Sequence, residues 1–254
     1  MTLQLAVTGA GGRMGRTVIE TAIDRADTAV TVAVNRSPTA SIGDITVDRG
    51  ADLSARLAET IPDVLIDFTA PTATLEYVAA CAEIGVPVVT GTTGFDDEQL
   101  AALSEHATTI PLLRAANFSP GIAVLRRAVE MVTRLLPEYD IELTETHHNG
   151  KRDAPSGTAK SLLESIAAER DRELSLAHGR MGDHPTDGDE IGVHARRAGD
   201  VTGDHEVLFA GNDEVIELGH RVGSRAVFAA GALDAAAWLV DQPAGEYDFE
   251  AVVR

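Results

Sequence analysis

The chain has 254 residues, 44% hydrophobic and 24% charged, which allows one large domain or two modest ones with real hydrophobic cores. Its 40 acidic residues outnumber 21 basic ones, and a net charge of −19 repels nucleic acid and anionic membrane surfaces, so neither is an expected partner. No apolar run approaches the roughly 18 residues of a membrane span and no signal-like segment opens the chain, which makes the cytoplasm the expected compartment.

The acids are spread along the chain and lysine is scarce. We read this as a surface adapted to high salt, where screening over a few ångströms removes self-repulsion. The single cysteine, Cys81, permits no intrachain disulfide and reads as a packed apolar side chain rather than a nucleophile.

In chain order, residues 3–7 form a buried-strand pattern that runs through a glycine turn into a helix over 13–26. Strands follow at 30–34, 64–68, 86–90 and 110–113, with helices at 75–84 and 96–106. Short apolar strands alternating with helices imply a parallel sheet covered on both faces, an α/β, Rossmann-like doubly wound fold. Beyond Phe118 the pattern changes. A helix over 122–136 leads to an alternating strand at 139–145 and a helix at 158–170. Three strand-like segments then come without helices between them, at 191–197, 206–210 and 215–220. That succession predicts a second, α+β domain with a mixed or antiparallel sheet. Residues 179–188 read as an exposed loop, and a last helix over 231–240 fits either domain.

The turn Gly9-Ala10-Gly11-Gly12-Arg13-Met14-Gly15 joins the first strand to the first helix. Backbone N–H groups at a helix start attract an anion, and missing side chains let a pyrophosphate come close. The spacing is G-x-x-G-x-x-G, not strict G-x-G-x-x-G, so alone it also fits an unliganded glycine turn. About twenty residues on, where such folds contact the adenine ribose, stand Asn35 and Arg36 and no acid. An amide followed by a guanidinium tolerates a 2′-phosphate, so NADPH is the preferred cofactor with NADH possible; otherwise Arg36 is a solvated surface charge. Gly91-Thr92-Thr93 and Ala115-Ala116-Asn117-Phe118 follow strands on the same sheet edge and are placed to line the nicotinamide half.

The densest chemistry lies in residues 142–159. His147, His148 and Lys151 fall within five residues, followed by Asp153 and the Ser156-Gly157-Thr158 turn that opens a helix. This suits a small dicarboxylate substrate reduced by hydride: Lys151 offers a cation, Ser156 to Thr158 a carboxylate cradle, and a histidine the accompanying proton. Adjacent histidines on a strand face opposite ways, so at most one meets the reacting centre directly. Ser156 also reads as an N-cap, and Asp153 as a loop support. A hydrolase with metal held by His147, His148 and Asp153 is a weaker alternative, because strand neighbours diverge; no metal is expected. A non-catalytic NADP-binding sensor is the other.

Residues 142–159 match, at every specified position, E-[LI]-x-E-x-H-H-x-x-K-x-D-A-P-S-G-T-A, and so resemble the dihydrodipicolinate reductase family. The turns at 9–15, 91–95 and 115–119, Arg197-Ala-Gly-Asp200 and residues 219–225 are similar to that family too, in the same order. The resemblance implies nicotinamide-dependent reduction of 4-hydroxy-tetrahydrodipicolinate, or of dihydrodipicolinate, to tetrahydrodipicolinate in lysine synthesis. It implies His147 as acid/base group and Lys151 as proton donor or polarising cation. His148, Gly157 and Thr158 would bind substrate carboxylates, and residues 9–14, 36, 91–93 and 115–118 the dinucleotide. It implies a dinucleotide domain over 1–118, to which 229–254 return, a substrate domain over 119–228, and a homotetramer formed through the substrate-domain sheets. Many members carry an acid where this chain has Asn35, which leaves NADH use in doubt.

Overall fold

The computed structural model describes residues 2–37, 39–170, 174–186 and 189–253. Two compact units emerge: one runs to Ser119 and resumes at Arg225, and the other spans Pro120–Ser224.

In the first unit the short Val-, Leu- and Ile-rich segments become β1 (Leu3–Thr8), β2 (Thr28–Asn35), β4 (Val64–Asp67), β5 (Val88–Thr90) and β6 (Pro111–Arg114). Two short strands complete the sheet, β3 (Asp48–Arg49) and β12 (Gly245–Tyr247). All pair in parallel in the order β12-β6-β5-β4-β1-β2-β3. Leu5, Ala6, Val7, Val64, Leu65 and Ile66 are all fully buried, as continuous apolar runs in a sheet covered on both faces must be. The covering helices are α1 (Arg13–Ile23), α2 (Leu53–Thr60), α3 (Pro71–Ile84) and α4 (Asp97–Ala107). The sheet is doubly wound, and strand order reverses between β1 and β4, which places the ligand crevice of such folds at their C-terminal ends.

Local chemistry explains where the boundaries differ from expectation. Helix α3 begins four residues early because Pro71, with its fixed φ and no N–H, occupies the first turn. Asp96 and Gln99 close a capping box at the start of α4. The segment α2 buries only Leu53 and Leu57, a single helical repeat too brief to stand out in the sequence.

The second unit contains α5 (Pro120–Leu135), β7 (Asp140–His147), α6 (Gly157–Glu169), β8 (Ser175–Ala177), β9 (Glu190–Arg197), β10 (Gly203–Gly211) and β11 (Glu214–Val222). Its sheet runs β11-β10-β7-β9-β8 and is mixed: β10 is antiparallel to β7 and β11, while β7, β9 and β8 are parallel. Ile141, Leu143, Ile191, Val193, Val207 and Phe209 form its inner face, packed with Ile122, Leu125 and Val129 of α5 and Leu162, Leu163 and Ile166 of α6. Period-two alternation continues that inner face along β7 to Glu145 and His147. Register then sets His205 beside Glu145 and Arg197 beside His147. Residues 187 and 188 of the expected loop lie outside the described residues; 179–186 contain neither helix nor strand.

The last helix, α7 (Ala226–Leu239), belongs to the first unit, where it packs on α1 and the strands β4, β5 and β6. Gly231 permits this approach, because a methyl group there would overlap the carbonyl oxygen of Phe118. Gly231→Ala is therefore expected to destabilise the protein by about 1–3 kcal/mol through overpacking, although alanine is the better helix former by about 1 kcal/mol. A raised midpoint on chemical denaturation would contradict the close contact.

Candidate active site

The crevice beyond β1 and β4 is a cleft of about 580 Å³ lined by Gly9, Gly12, Asn35, Arg36, Ser37, Gly50, Ala51, Phe68, Thr69, Ala70, Ala73, Glu76 and Tyr77. Gly9 has φ +71° and turns the chain out of β1, and a Cβ on Gly15 would overlap the Gly9 carbonyl, so α1 starts hard against the strand. The amides of Ala10 and Gly12 are already bonded, to the carbonyls of Val34 and Gly9 at 3.1 and 2.8 Å. An anion at this turn is thus left to the N–H groups of Gly11, Arg13 and Met14. Arg13, exposed at the first position of α1, puts a cation at the positive end of the helix dipole, a disfavoured arrangement that an anionic ligand would reverse. Arg36 is exposed at the end of β2, and among the described residues no carboxylate pairs with it. Asn35 donates to the carbonyl of Ser37 at 2.9 Å and packs beneath Gly11. The chemistry of these residues fits a dinucleotide: the amides of Gly11, Arg13 and Met14 and the cations Arg13 and Arg36 line one turn and one strand end as donors and positive charges.

The other predicted cofactor residues divide into exposed and structural ones. Thr93 and Ala116 are exposed. Thr92 is buried, and its hydroxyl is committed to Asp67 at 2.8 Å. The Gly91 amide bonds the Asp67 carbonyl, and the Ala115 amide that of Thr90. The Asn117 side chain accepts the Ser119 amide at 2.8 Å. Phe118 is a core residue, its ring set edge-to-face against Phe68 and Phe249 at 5.7 and 5.3 Å.

In the second unit the residues of the dense motif gather around Glu145, which is fully buried. Its carboxylate accepts four bonds: Arg197 Nη1 and Nη2 at 2.9 Å each, His147 Nδ1 at 2.6 Å, and the Ser156 amide at 3.1 Å. Burial alone would raise the Glu145 pKa, but Arg197 and His147 outweigh it and hold the carboxyl below its usual range. A carboxylate on Nδ1 requires that nitrogen to carry hydrogen, so Nε2 is the face of His147 left for proton transfer. Arg197 also donates to the Asp153 carbonyl at 2.6 Å, and Asp153 holds Lys151 Nζ at 2.9 Å. One ion pair leaves the ammonium further donors for a substrate carboxylate.

Ser156 caps α6, accepting the Ala159 amide at 3.1 Å, and its hydroxyl meets His205 Nε2 at 2.9 Å. A side chain on Gly157 would enter open space, so the helix start is accessible. His148 falls just past the end of β7, so the alternation argument does not reach it. Among the described residues no three His, Cys, Asp or Glu side chains are grouped to hold a metal ion. Cys81 is buried in the core of the first unit and burial pushes its thiol up, away from nucleophilic use.

Sequence reasoning missed Glu145, Arg197 and His205 as organisers of the site. A signal existed: a glutamate on the inner-facing phase of an alternating strand must be paired if it is buried.

The dihydrodipicolinate reductase N-terminal family model matches residues 3–118, and the C-terminal model matches residues 121–253. The chain belongs to the dihydrodipicolinate reductase family. The 4-hydroxy-tetrahydrodipicolinate reductase of Natronomonas pharaonis is 52% identical over 251 residues, covering 99% of this chain and all of that protein. The corresponding enzyme of Haloarcula marismortui is 51% identical and covers 98% of each chain. Among solved structures, the dipicolinate-bound dihydrodipicolinate reductase from Paenisporosarcina sp. TG-14 superposes with a TM-score of 0.79 at 25% identity, covering 99% of both chains.

Burial, with His147 alongside, lowers the His205 pKa from 6.5 to about 4. Because the folded pKa lies below the unfolded one, the unfolded chain takes up this proton first as pH falls. Stability is therefore full above pH 6.5 and declines towards pH 4, by at most roughly 3 kcal/mol. Unfolding free energies measured at pH 7 and pH 5 are expected to differ less in His205→Gln than in the parent. An equal difference would remove this assignment.

Proposed function

We propose that this family member reduces 4-hydroxy-tetrahydrodipicolinate, or the dihydrodipicolinate formed from it by water loss, to tetrahydrodipicolinate, preferring NADPH and accepting NADH. The chain is a nicotinamide-dependent oxidoreductase of the diaminopimelate route to lysine. The observation that carries the mechanism is the Glu145–His147 pair, which fixes one imidazole nitrogen and frees the other.

When bound, the dihydronicotinamide supplies hydride. The chain's own residues bind, orient and hold protons. Amides of Gly11, Arg13 and Met14 receive the diphosphate, and Arg36 takes the 2′-phosphate, with no acid at Asn35 to repel it. Gly157 and Thr158, at the start of α6, cradle one substrate carboxylate while Lys151, held by Asp153, attracts the other; His148 assists in substrate binding. His147 delivers from Nε2 the proton that completes the reduction. Holding both reactants in register contributes up to roughly 7–11 kcal/mol in well-oriented reactions, and general acid catalysis about 10²–10⁴-fold.

The helices α5 and α6 pack on the inner face of the second sheet, and Val215 stands exposed on the outer phase of β11. This supports assembly of four chains through that sheet. No helix among the described residues is long and apolar enough to cross a membrane, in keeping with action in the cytoplasm. The acidic composition and the kinship with enzymes of Natronomonas and Haloarcula support a salt-adapted surface.

His147→Gln is expected to lower kcat by about 10²–10⁴-fold with NADPH affinity retained. An unchanged kcat removes His147 from the reaction. Arg36→Ala is expected to raise the KM for NADPH about tenfold or more and leave that for NADH nearly unaltered, because a charge-assisted bond to the 2′-phosphate exists only with the former. Parallel increases for both cofactors would show that Arg36 does not read that phosphate.

A further inference from the structure

Asp67, the last residue of β4, is fully buried. Its Oδ1 accepts the hydroxyls of Thr8 and Thr69 at 2.7 and 2.6 Å, and its Oδ2 those of Thr74, Thr90 and Thr92 at 2.7, 2.8 and 2.8 Å. These threonines come from the ends of β1 and β5, the first turn of α3, and the two turns that follow β4 and β5.

A threonine hydroxyl has one hydrogen and two lone pairs. Once its hydrogen is donated to Asp67, it faces every other neighbour as an acceptor only. Two of the five already act so: Thr90 Oγ1 accepts the Thr92 amide and Thr92 Oγ1 the Thr69 amide, both at 3.1 Å. Thr69 is half-buried and lines the dinucleotide cleft, together with its neighbours Phe68 and Ala70. Its acceptor polarity is therefore imposed from beneath by a residue that does not itself line the cleft.

We propose that Asp67 is a positioning residue that makes Thr69 a fixed hydrogen-bond acceptor in the lining of the cleft, matched to a neutral donor of the dinucleotide, either a ribose hydroxyl or the carboxamide N–H. This rests on the dinucleotide placement proposed above. An asparagine at position 67 tests the polarity directly. With its amide nitrogen on the side of Thr8 and Thr69, those two hydroxyls must turn round, and the Thr69 hydrogen then goes either to Thr74 Oγ1, 3.3 Å away, or towards the ligand, so the acceptor is no longer fixed.

The test is titration of the full-length protein with NADPH, followed by nucleotide fluorescence without substrate. Asp67→Asn and Thr69→Val are each expected to weaken binding about tenfold, and Thr69→Ser to leave it within about threefold. The double variant Asp67→Asn/Thr69→Val is expected to bind no worse than Thr69→Val alone, since polarity is immaterial once the hydroxyl is gone. Additive losses would make Asp67 a merely structural residue and overturn the proposal. Should Asp67→Asn not fold, unchanged binding by Thr69→Val overturns it alone. Repeating the Thr69→Val titration with the 3-acetylpyridine analogue of NADPH separates the donors: no loss there identifies the carboxamide, an equal loss the ribose. If Arg36→Ala is equally silent towards NADPH, the cleft is not the dinucleotide site and the underlying reading falls too; if Thr69→Val alone is silent, only this inference falls.

Discussion

A carboxylate removed from water must find a donor for each of its lone pairs, or it destabilises the fold that buries it. Glu145 meets that demand with the fork of Arg197, a ring nitrogen of His147 and the amide of Ser156. Those four donors come from a neighbouring strand, the same strand two residues on, and the cap of the following helix. Satisfying one buried charge therefore sets the tautomer of the histidine, anchors the start of α6 and, through Arg197 and Asp153, restrains the loop that carries Lys151. Breaking the pair from either side leaves an uncompensated charge inside, which is far costlier than any single hydrogen bond on the surface.

The first unit solves the same problem differently. Among the described residues no ion pair involves Asp67, which is surrounded by five hydroxyls. Hydroxyls can rotate, so this arrangement satisfies the charge while leaving lone pairs directed elsewhere. An arginine there would have added a fixed positive charge next to the cleft; threonines add none. In each unit a buried acid thus arranges the loops on which the proposed ligands depend.

Much of this architecture was legible. Val64-Leu-Ile-Asp67 and its counterparts read as buried parallel strands because nothing but a covered sheet accommodates short runs so uniformly apolar. The α+β character of the second unit followed from strands at 191, 206 and 215 with no helix between them. What escaped notice had weak local signals: β3, β8 and β12 are two or three residues long, and α2 has one apolar repeat. Helix α7 starts at Ala226, five residues before its expected start, because alanine and glycine pack closely without announcing a face. At the site, His147, Lys151 and the Ser156 turn stood out by composition. Glu145 and Arg197 are ordinary charges in a charged chain, and only the pairing of β7 with β9 shows them to be partners. Phe118 belongs to the cofactor group by its motif, and its ring packs in the core between Phe68 and Phe249.

The acidity of the chain bears on how anionic ligands are held. At a net charge of −19 the long-range field opposes both a dinucleotide and a dicarboxylate. Near molar salt that field fades within about 3 Å, so attraction by distant cations fades with it, and only groups in direct contact still act. The contacts proposed above, backbone amides at helix starts, a pinned lysine and an exposed arginine, are of this kind, insensitive to the surrounding charge once a ligand has displaced solvent. A surface that stays solvated in brine and a site that grips anions are therefore compatible in one chain, because they operate over different distances.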